Sequence, residues 1–146
     1  MIRILAFAAA LAAAMPAAAQ KPASTGSAAA NITGAWTFQT QTYANGCRMS
    51  GQMLIEPAKN GVTHACTFST EEKCPDIVVK AKEACTATRS AGKLSIKSTV
   101  KSVEPQVGYD PDDFDLTIRN GALMTGMMRS FNSAPVEFFR GDAPVS

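Results

Sequence analysis

The sequence predicts an all-β fold, an eight-stranded antiparallel up-and-down β-barrel, on three observations. Apolar residues recur at every second position in one run after another. Tight-turn signals separate those runs, and no capped stretch of helical period follows Pro16. Once an N-terminal leader is set aside, only about 110 residues remain, enough for one small domain.

The leader is legible in its parts. Met1-Ile2-Arg3 supplies a positive start, and Ile4 to Met15 is an apolar run too short to cross a bilayer as a helix. Pro16 breaks it, and Ala17-Ala18-Ala19 offers the small residues a signal peptidase needs, so residues 1–19 are expected to be a signal peptide. No cysteine precedes Cys47 to accept a lipid, and no second long apolar stretch follows. The expected location is the periplasm or the exterior of a Gram-negative bacterium, with no transmembrane segment. Residues 20–30 (QKPASTGSAAA) are small, polar and broken by Pro and Gly, and read as a flexible tail. The barrel is expected over 31–141 and a short C-terminal tail over 142–146.

Removing the first thirty residues, 14 of them alanine, lowers the apolar share from 46% to about 40%, ordinary for a soluble domain. From Asn31 onward 12 basic residues balance 12 acidic ones, which gives no electrostatic footprint for nucleic acid or an anionic membrane. The length excludes a dinucleotide-binding α/β fold and a (β/α)₈ barrel. A monomer is expected.

Ala35 to Tyr43 carries Trp36, Phe38, Thr40 and Thr42 on one side, and Cys47 to Ile55 carries Cys47, Met49, Gly51, Met53 and Ile55 on one side. Val62 to Thr70 places His64, Cys66 and Phe68 together, and Ile77, Val79 and Ala81 open a fourth strand that runs to Arg89. Lys93 to Val103 sets Leu94, Ile96, Ser98 and Val100 against Lys93, Ser95, Lys97, Thr99 and Lys101, a strand with one wet face. Phe114, Leu116 and Ile118 alternate with Asp113, Asp115, Thr117 and Arg119. Leu123 to Phe131 and Val136 to Arg140 complete the set. Asn45-Gly46, Asn60-Gly61 and Asn120-Gly121 mark tight hairpins, and Ser90-Ala91-Gly92 a three-residue loop. Cys74-Pro75-Asp76 and Ser133-Ala134-Pro135 are further breaks. Strands joined this way lose their edges by closing on themselves; a flattened sandwich is the alternative.

Four cysteines in an exported domain point to two disulfides. A two-residue turn at Asn60-Gly61 sets Met53 opposite Phe68 and Cys47 opposite Cys74. A turn at Pro75-Asp76 sets Cys66 opposite Cys85. The favoured pairs are therefore Cys47–Cys74 and Cys66–Cys85. A three-residue loop at Ser90–Gly92 places Cys85 on the lysine face, a conflict that a bulge near Glu83 reconciles. No C-x-x-C pair supports a zinc site.

Chemistry-bearing residues are few. His64 is the only histidine, and no nucleophile elbow accompanies it. Asp110, Asp112, Asp113 and Asp115 crowd one short segment but lack the EF-hand order for calcium. Met124, Met127 and Met128 have a spacing that soft copper could use, yet on a strand the last two point to opposite faces. No cofactor and no catalytic residue are expected. Met49, Met53 and Phe68 are candidate lining residues for a small apolar ligand in the barrel.

Gly34-Ala35-Trp36 opens the first strand, and with eight up-and-down strands this G-x-W start resembles the calycin barrels, the lipocalins and their small bacterial relatives. The resemblance implies that Trp36 packs across the closed end of the barrel with a late-strand arginine, here Arg140. Leader, short tail, G-x-W and Cys47-Arg48-Met49 are most similar to the small periplasmic inhibitors of secreted bacterial metalloproteases. That resemblance implies a secreted protease as partner and a tail that enters its cleft. The expected function is a non-enzymatic binding protein, inhibitor-like. The alternatives are a carrier of a small apolar ligand or, less favoured, a copper- or calcium-binding protein.

Overall fold

The computed structural model describes residues 30–44 and 46–141. The expected signal peptide, all but the last residue of the 20–30 tail, and the 142–146 tail lie outside the described residues. Eight strands follow in order: β1 (Gly34–Thr40), β2 (Arg48–Ile55), β3 (Thr63–Lys73), β4 (Val78–Ser90), β5 (Lys93–Glu104), β6 (Asp113–Ile118), β7 (Leu123–Arg129) and β8 (Ser133–Arg140). Each pairs antiparallel with the next, and β8 returns to β1, so the sheet closes as a barrel and not as a sandwich. Closure satisfies the backbone groups that an edge strand would expose.

Side chains alternate across each strand, so register decides what is inside. In the β2–β3 pair Met53 faces Phe68, and in the β3–β4 pair Cys66 faces Cys85. Cys47–Cys74 and Cys66–Cys85 are both bonded, and no described cysteine is free.

The expected three-residue loop after Arg89 is instead a two-residue turn. Ser90 pairs with Lys93, and Ala91 takes a φ of 52° at the first turn position. Two-residue turns of this kind match the twist of their strands. The one-residue change sets Cys85 opposite Ser98, off the lysine face, so its bridge to Cys66 needs no bulge. A register shift does lie between Lys82 and Glu83, with Lys101 the extra residue on β5, but it falls beyond Cys85.

Several strand ends also differ. β1 stops at Thr40, and Tyr43 makes only an isolated bridge with Cys47. β7 stops at Arg129, leaving Phe131 85% exposed on the β7–β8 turn. β8 begins at Ser133 and runs through Pro135, where a break was expected. The Pro135 carbonyl accepts from Gln41 N, beyond the end of β1. A strand residue's N–H and C=O point to the same side, so the missing N–H costs β1 no ladder bond. The expected tight Asn120-Gly121 hairpin is a three-residue loop, closed by Arg119 N to Leu123 O at 2.9 Å.

The lumen is filled. Phe38 lies at its centre with ring centroids 6.0 Å from Phe68, 5.3 Å from Phe114 and 4.9 Å from Phe138. All four rings are buried, and Met53, Met124 and Met128 fill the gaps around them. Gly51 makes this possible: a Cβ there would sit 2.4 Å from Phe38 Cζ and 2.3 Å from Ser69 O. The candidate lining residues therefore share no cavity. Met53 and Phe68 border an open groove with Ala35 and Lys101, Met49 borders a cavity at one end of the barrel, and Trp36 borders neither.

Candidate functional site at the open end of the barrel

The two ends of the barrel differ in chemistry. At the closed end Trp36 is buried, and its indole N–H donates to Ile32 O at 2.8 Å. The Arg140 guanidinium lies over the indole, 4.4 Å from the ring centroid. It also donates to Thr33 O at 2.8 Å, Asn31 O at 2.6 Å and Gly121 O at 2.7 Å, and Arg89 donates to Ala30 O at 2.6 Å. Gly34 has a φ of 113°, and a Cβ there would meet Arg140 Nη1 at 3.0 Å. A side chain at 34 would be strained and would crowd the clamp. Gly34, Trp36 and Arg140 thus form one structural unit that ties residues 30–33 to the barrel.

The opposite end is open and polar. The connections after β1, β5 and β7 and the end of β3 border a cavity of about 290 Å³ there. Met49 and Met128, which point inward from β2 and β7, border it from the barrel core, and Phe131 stands at its rim. Tyr43, Glu72, Tyr109, Asp110 and Asp112 also line it, and no Lys, Arg or His does. Glu72 arrives because the inward face of β3 (His64, Cys66, Phe68, Thr70) continues by two residues toward the opening. Tyr43 arrives because the chain turns after Thr40, and the Cys47–Cys74 bridge joins that turn to the β3–β4 connection.

Two carboxyl groups are buried beside this cavity. Asp112 is wholly buried and Glu83 is 2% exposed. Glu83 Oε2 accepts from Asp112 N at 3.1 Å and lies 2.6 Å from the Ser98 hydroxyl. Tyr109 donates to Asp112 Oδ2 at 2.8 Å, with the Thr70 hydroxyl 3.3 Å behind it, and Tyr43 donates to Glu72 Oε1. Glu83 Oε1 and Asp112 Oδ1 have no hydrogen-bond partner, and the two carboxyl groups lie within bonding reach of each other. One proton held between them satisfies both orphan oxygens.

Burial, and then the neighbouring Glu83 charge, push the Asp112 carboxyl up to about 8. Burial also raises Tyr109, reinforced by Asp112, and raises Tyr43, reinforced by Glu72, so both phenols stay protonated. The unfolded chain loses the Asp112 proton near its ordinary value of 3.8, whereas the folded chain keeps it to about pH 8. The Asp112 contribution to stability is therefore full below the unfolded value and declines as pH rises to the folded one. Asp112→Asn is expected to flatten the decline in denaturation midpoint across that interval. Equal slopes in variant and wild type would contradict the shared-proton arrangement.

The four clustered aspartates do not converge. Asp110 is exposed and Asp112 is buried. Asp113 and Asp115 face outward, 2.8 Å from Lys97 and from Arg129. Met124 and Met128 point into the core while Met127 faces the other way. His64 is buried with Nδ1 2.7 Å from Glu56 O. Among the described residues, Cys47, Glu72 and Cys74 are the one set of three ligand types close enough to share an ion, and its two sulfurs are joined in a disulfide. Sequence reasoning missed Glu83, Glu72, Tyr43 and Tyr109. Glu83 did carry a signal: an acid in phase with Ala81, Cys85 and Ala87 on an inward face.

No family model matches the chain, and no curated protein matches it. Among solved structures, a de novo designed fluorescence-activating β-barrel aligns with 75% of this chain and 94% of its own, at 16% identity and a TM-score of 0.52. That likeness concerns the fold alone: this chain is an eight-stranded antiparallel barrel, and no helix among the described residues is long and apolar enough to cross a membrane.

Proposed function

We propose that this is a secreted, non-enzymatic binding protein that acts on a protein partner through its outer surface, in the manner of an inhibitor. The observation that carries this reading is the filled lumen. A carrier would hold its apolar ligand where Phe38, Phe68, Phe114 and Phe138 meet. The leader-like residues 1–19 and the two disulfides support export to an oxidising compartment. Residues 30–33 are held to the closed end by Arg89 and Arg140, which gives the preceding segment a fixed point of departure. A tail that enters a protease cleft needs such an anchor. Exposed Ile77, Val78, Val107 and Phe131 concentrate at the open end and offer a second apolar contact area.

Mixing the full chain with a secreted metalloprotease is expected to slow peptide hydrolysis. Deleting residues 20–29, which leaves the Arg140 clamp on Asn31 intact, is expected to abolish the effect. Unchanged hydrolysis with the full chain contradicts the inhibitor reading. Inhibition that survives the deletion moves the contact to the open end, where Phe131→Ser then removes it.

A further inference from the structure

We propose that residues 105–112, between β5 and β6, form a strap latched to the barrel by the proton that Glu83 and Asp112 share. Rising pH opens the strap while the barrel stays folded. Little else holds it. No backbone–backbone hydrogen bond joins these residues to the rest of the described chain. Only Tyr109 and Asp112 along it are not exposed, and Val107 is 41% exposed, so apolar burial contributes little. Its ties to the barrel are polar. Asp112 N donates to Glu83 Oε2 at 3.1 Å, and the Ser98 hydroxyl donates to Asp112 O at 2.9 Å. The Tyr109 hydroxyl lies 3.3 Å from that of Thr70, and the Ser130 hydroxyl donates to Asp110 O at 3.2 Å. Tyr109 also donates to Asp112 Oδ2 at 2.8 Å, so the Thr70 tie depends on Asp112 as well.

Glu83 is fixed and Asp112 is free to leave. Glu83 sits within β4, opposite Phe68 of β3 and Val100 of β5. Asp112 precedes β6, whose pairing with β5 reaches only to Phe114 and Ile96, so its departure breaks no ladder pair. The other titratable groups around the pair are Glu72 on β3, Tyr43 after β1, and Tyr109 and Asp110 on the strap itself. Lys97 with Asp113, and Arg129 with Asp115, pair on the outer face. No cation is among the principal influences on Asp112. Removing the shared proton therefore sets two carboxylates together in a buried space, which drives out the one on the connection. With the strap closed, burial and the Glu83 charge carry the Asp112 carboxyl up to about 8; with it open, that carboxyl returns to its ordinary 3.8. Closing binds a proton, so the opening constant rises about tenfold per pH unit between those limits and levels off above the higher one. The latch needs neither the tail nor a partner, so it stands or falls independently of protease inhibition.

Chymotrypsin cleavage after Tyr109 in the full, disulfide-bonded chain, read by mass spectrometry, tests the latch, because cleavage of a transiently opened segment follows its opening equilibrium. Rates from about pH 6 to about pH 9 are divided by those of a synthetic peptide of residues 104–114, which removes the pH dependence of the protease. The ratio is expected to rise about tenfold per unit to about pH 8 and then level off. Fluorescence of Trp36, buried at the closed end, is expected to stay constant. In Asp112→Asn the side-chain amide donates to Glu83 in place of the shared proton, and the ratio is expected to stay flat. In Glu83→Gln, Asp112 keeps only the effect of burial, so levelling off is expected at lower pH. Glu83→Gln decides alone if Asp112→Asn fails to fold. No cleavage after Tyr109, a pH-independent ratio in the wild type, a wild-type profile in either variant, or a Trp36 change that parallels cleavage overturns the latch.

Discussion

Phe38→Ala is expected to lower stability by about 3–5 kcal/mol, the range for truncating a fully buried aromatic ring. Phe38 is 0% exposed and touches three other rings on different strands, so its removal opens a void at the point where the barrel walls meet. Gly51 has no side chain with which to refill that void. Guanidinium denaturation with both disulfides intact measures the loss. Phe131→Ser is the matched control: an 85% exposed ring on a turn should change stability by no more than about 0.5 kcal/mol. A loss below about 1 kcal/mol for Phe38→Ala would mean that the core collapses around a missing ring and is not packed as described.

Replacing Cys66 and Cys85 together with alanine is expected to cost about 3 kcal/mol, from freeing a loop of this size in the unfolded chain. The sequence separations of 19 and 27 are close, so chain entropy alone predicts nearly the same loss for the Cys47–Cys74 pair. Their other consequences differ. Cys66–Cys85 staples the middle of β3 to β4 inside the barrel. Cys47–Cys74 joins two of the connections at the open end of the barrel. Peptide mapping without reduction should recover these two linkages; any other pairing would contradict the register.

Much of the fold was legible because a closed meander of hairpins leaves its pattern in nearest neighbours. The alternation from Lys93 to Val103 marks inside and outside without reference to any other strand. Met53 does face Phe68, although the Asn60-Gly61 hairpin closes from Lys59 N to Thr63 O around three residues and not the expected two. The failures are local and have local causes. Ala91 tolerates positive φ, so a two-residue turn formed where a longer loop was expected. Tyr43 and Phe131 continue an alternating pattern in sequence, but the chain turns away after Thr40 so that Tyr43 bridges Cys47, and Phe131 falls in the β7–β8 turn, so neither extends the ladder. Whether the lumen is hollow was not readable from pattern, because it depends on four phenylalanines from four strands reaching one point. The open-end site was hidden for the same reason. Glu72, Glu83, Tyr109 and Asp112 come from two adjacent strands and a long connection, and the hydrogen bonds of that connection to Thr70 and Glu83 bring them together.

A solid barrel leaves an apolar ligand no room in its lumen. Methyl NMR spectra of the full chain, titrated with laurate, test it most directly, because Met53, Met124 and Met128 report from within the core. The expected result is no saturable shift of those three methyl resonances. Saturable, stoichiometric shifts of all three would show that an apolar ligand enters the lumen and would contradict the account.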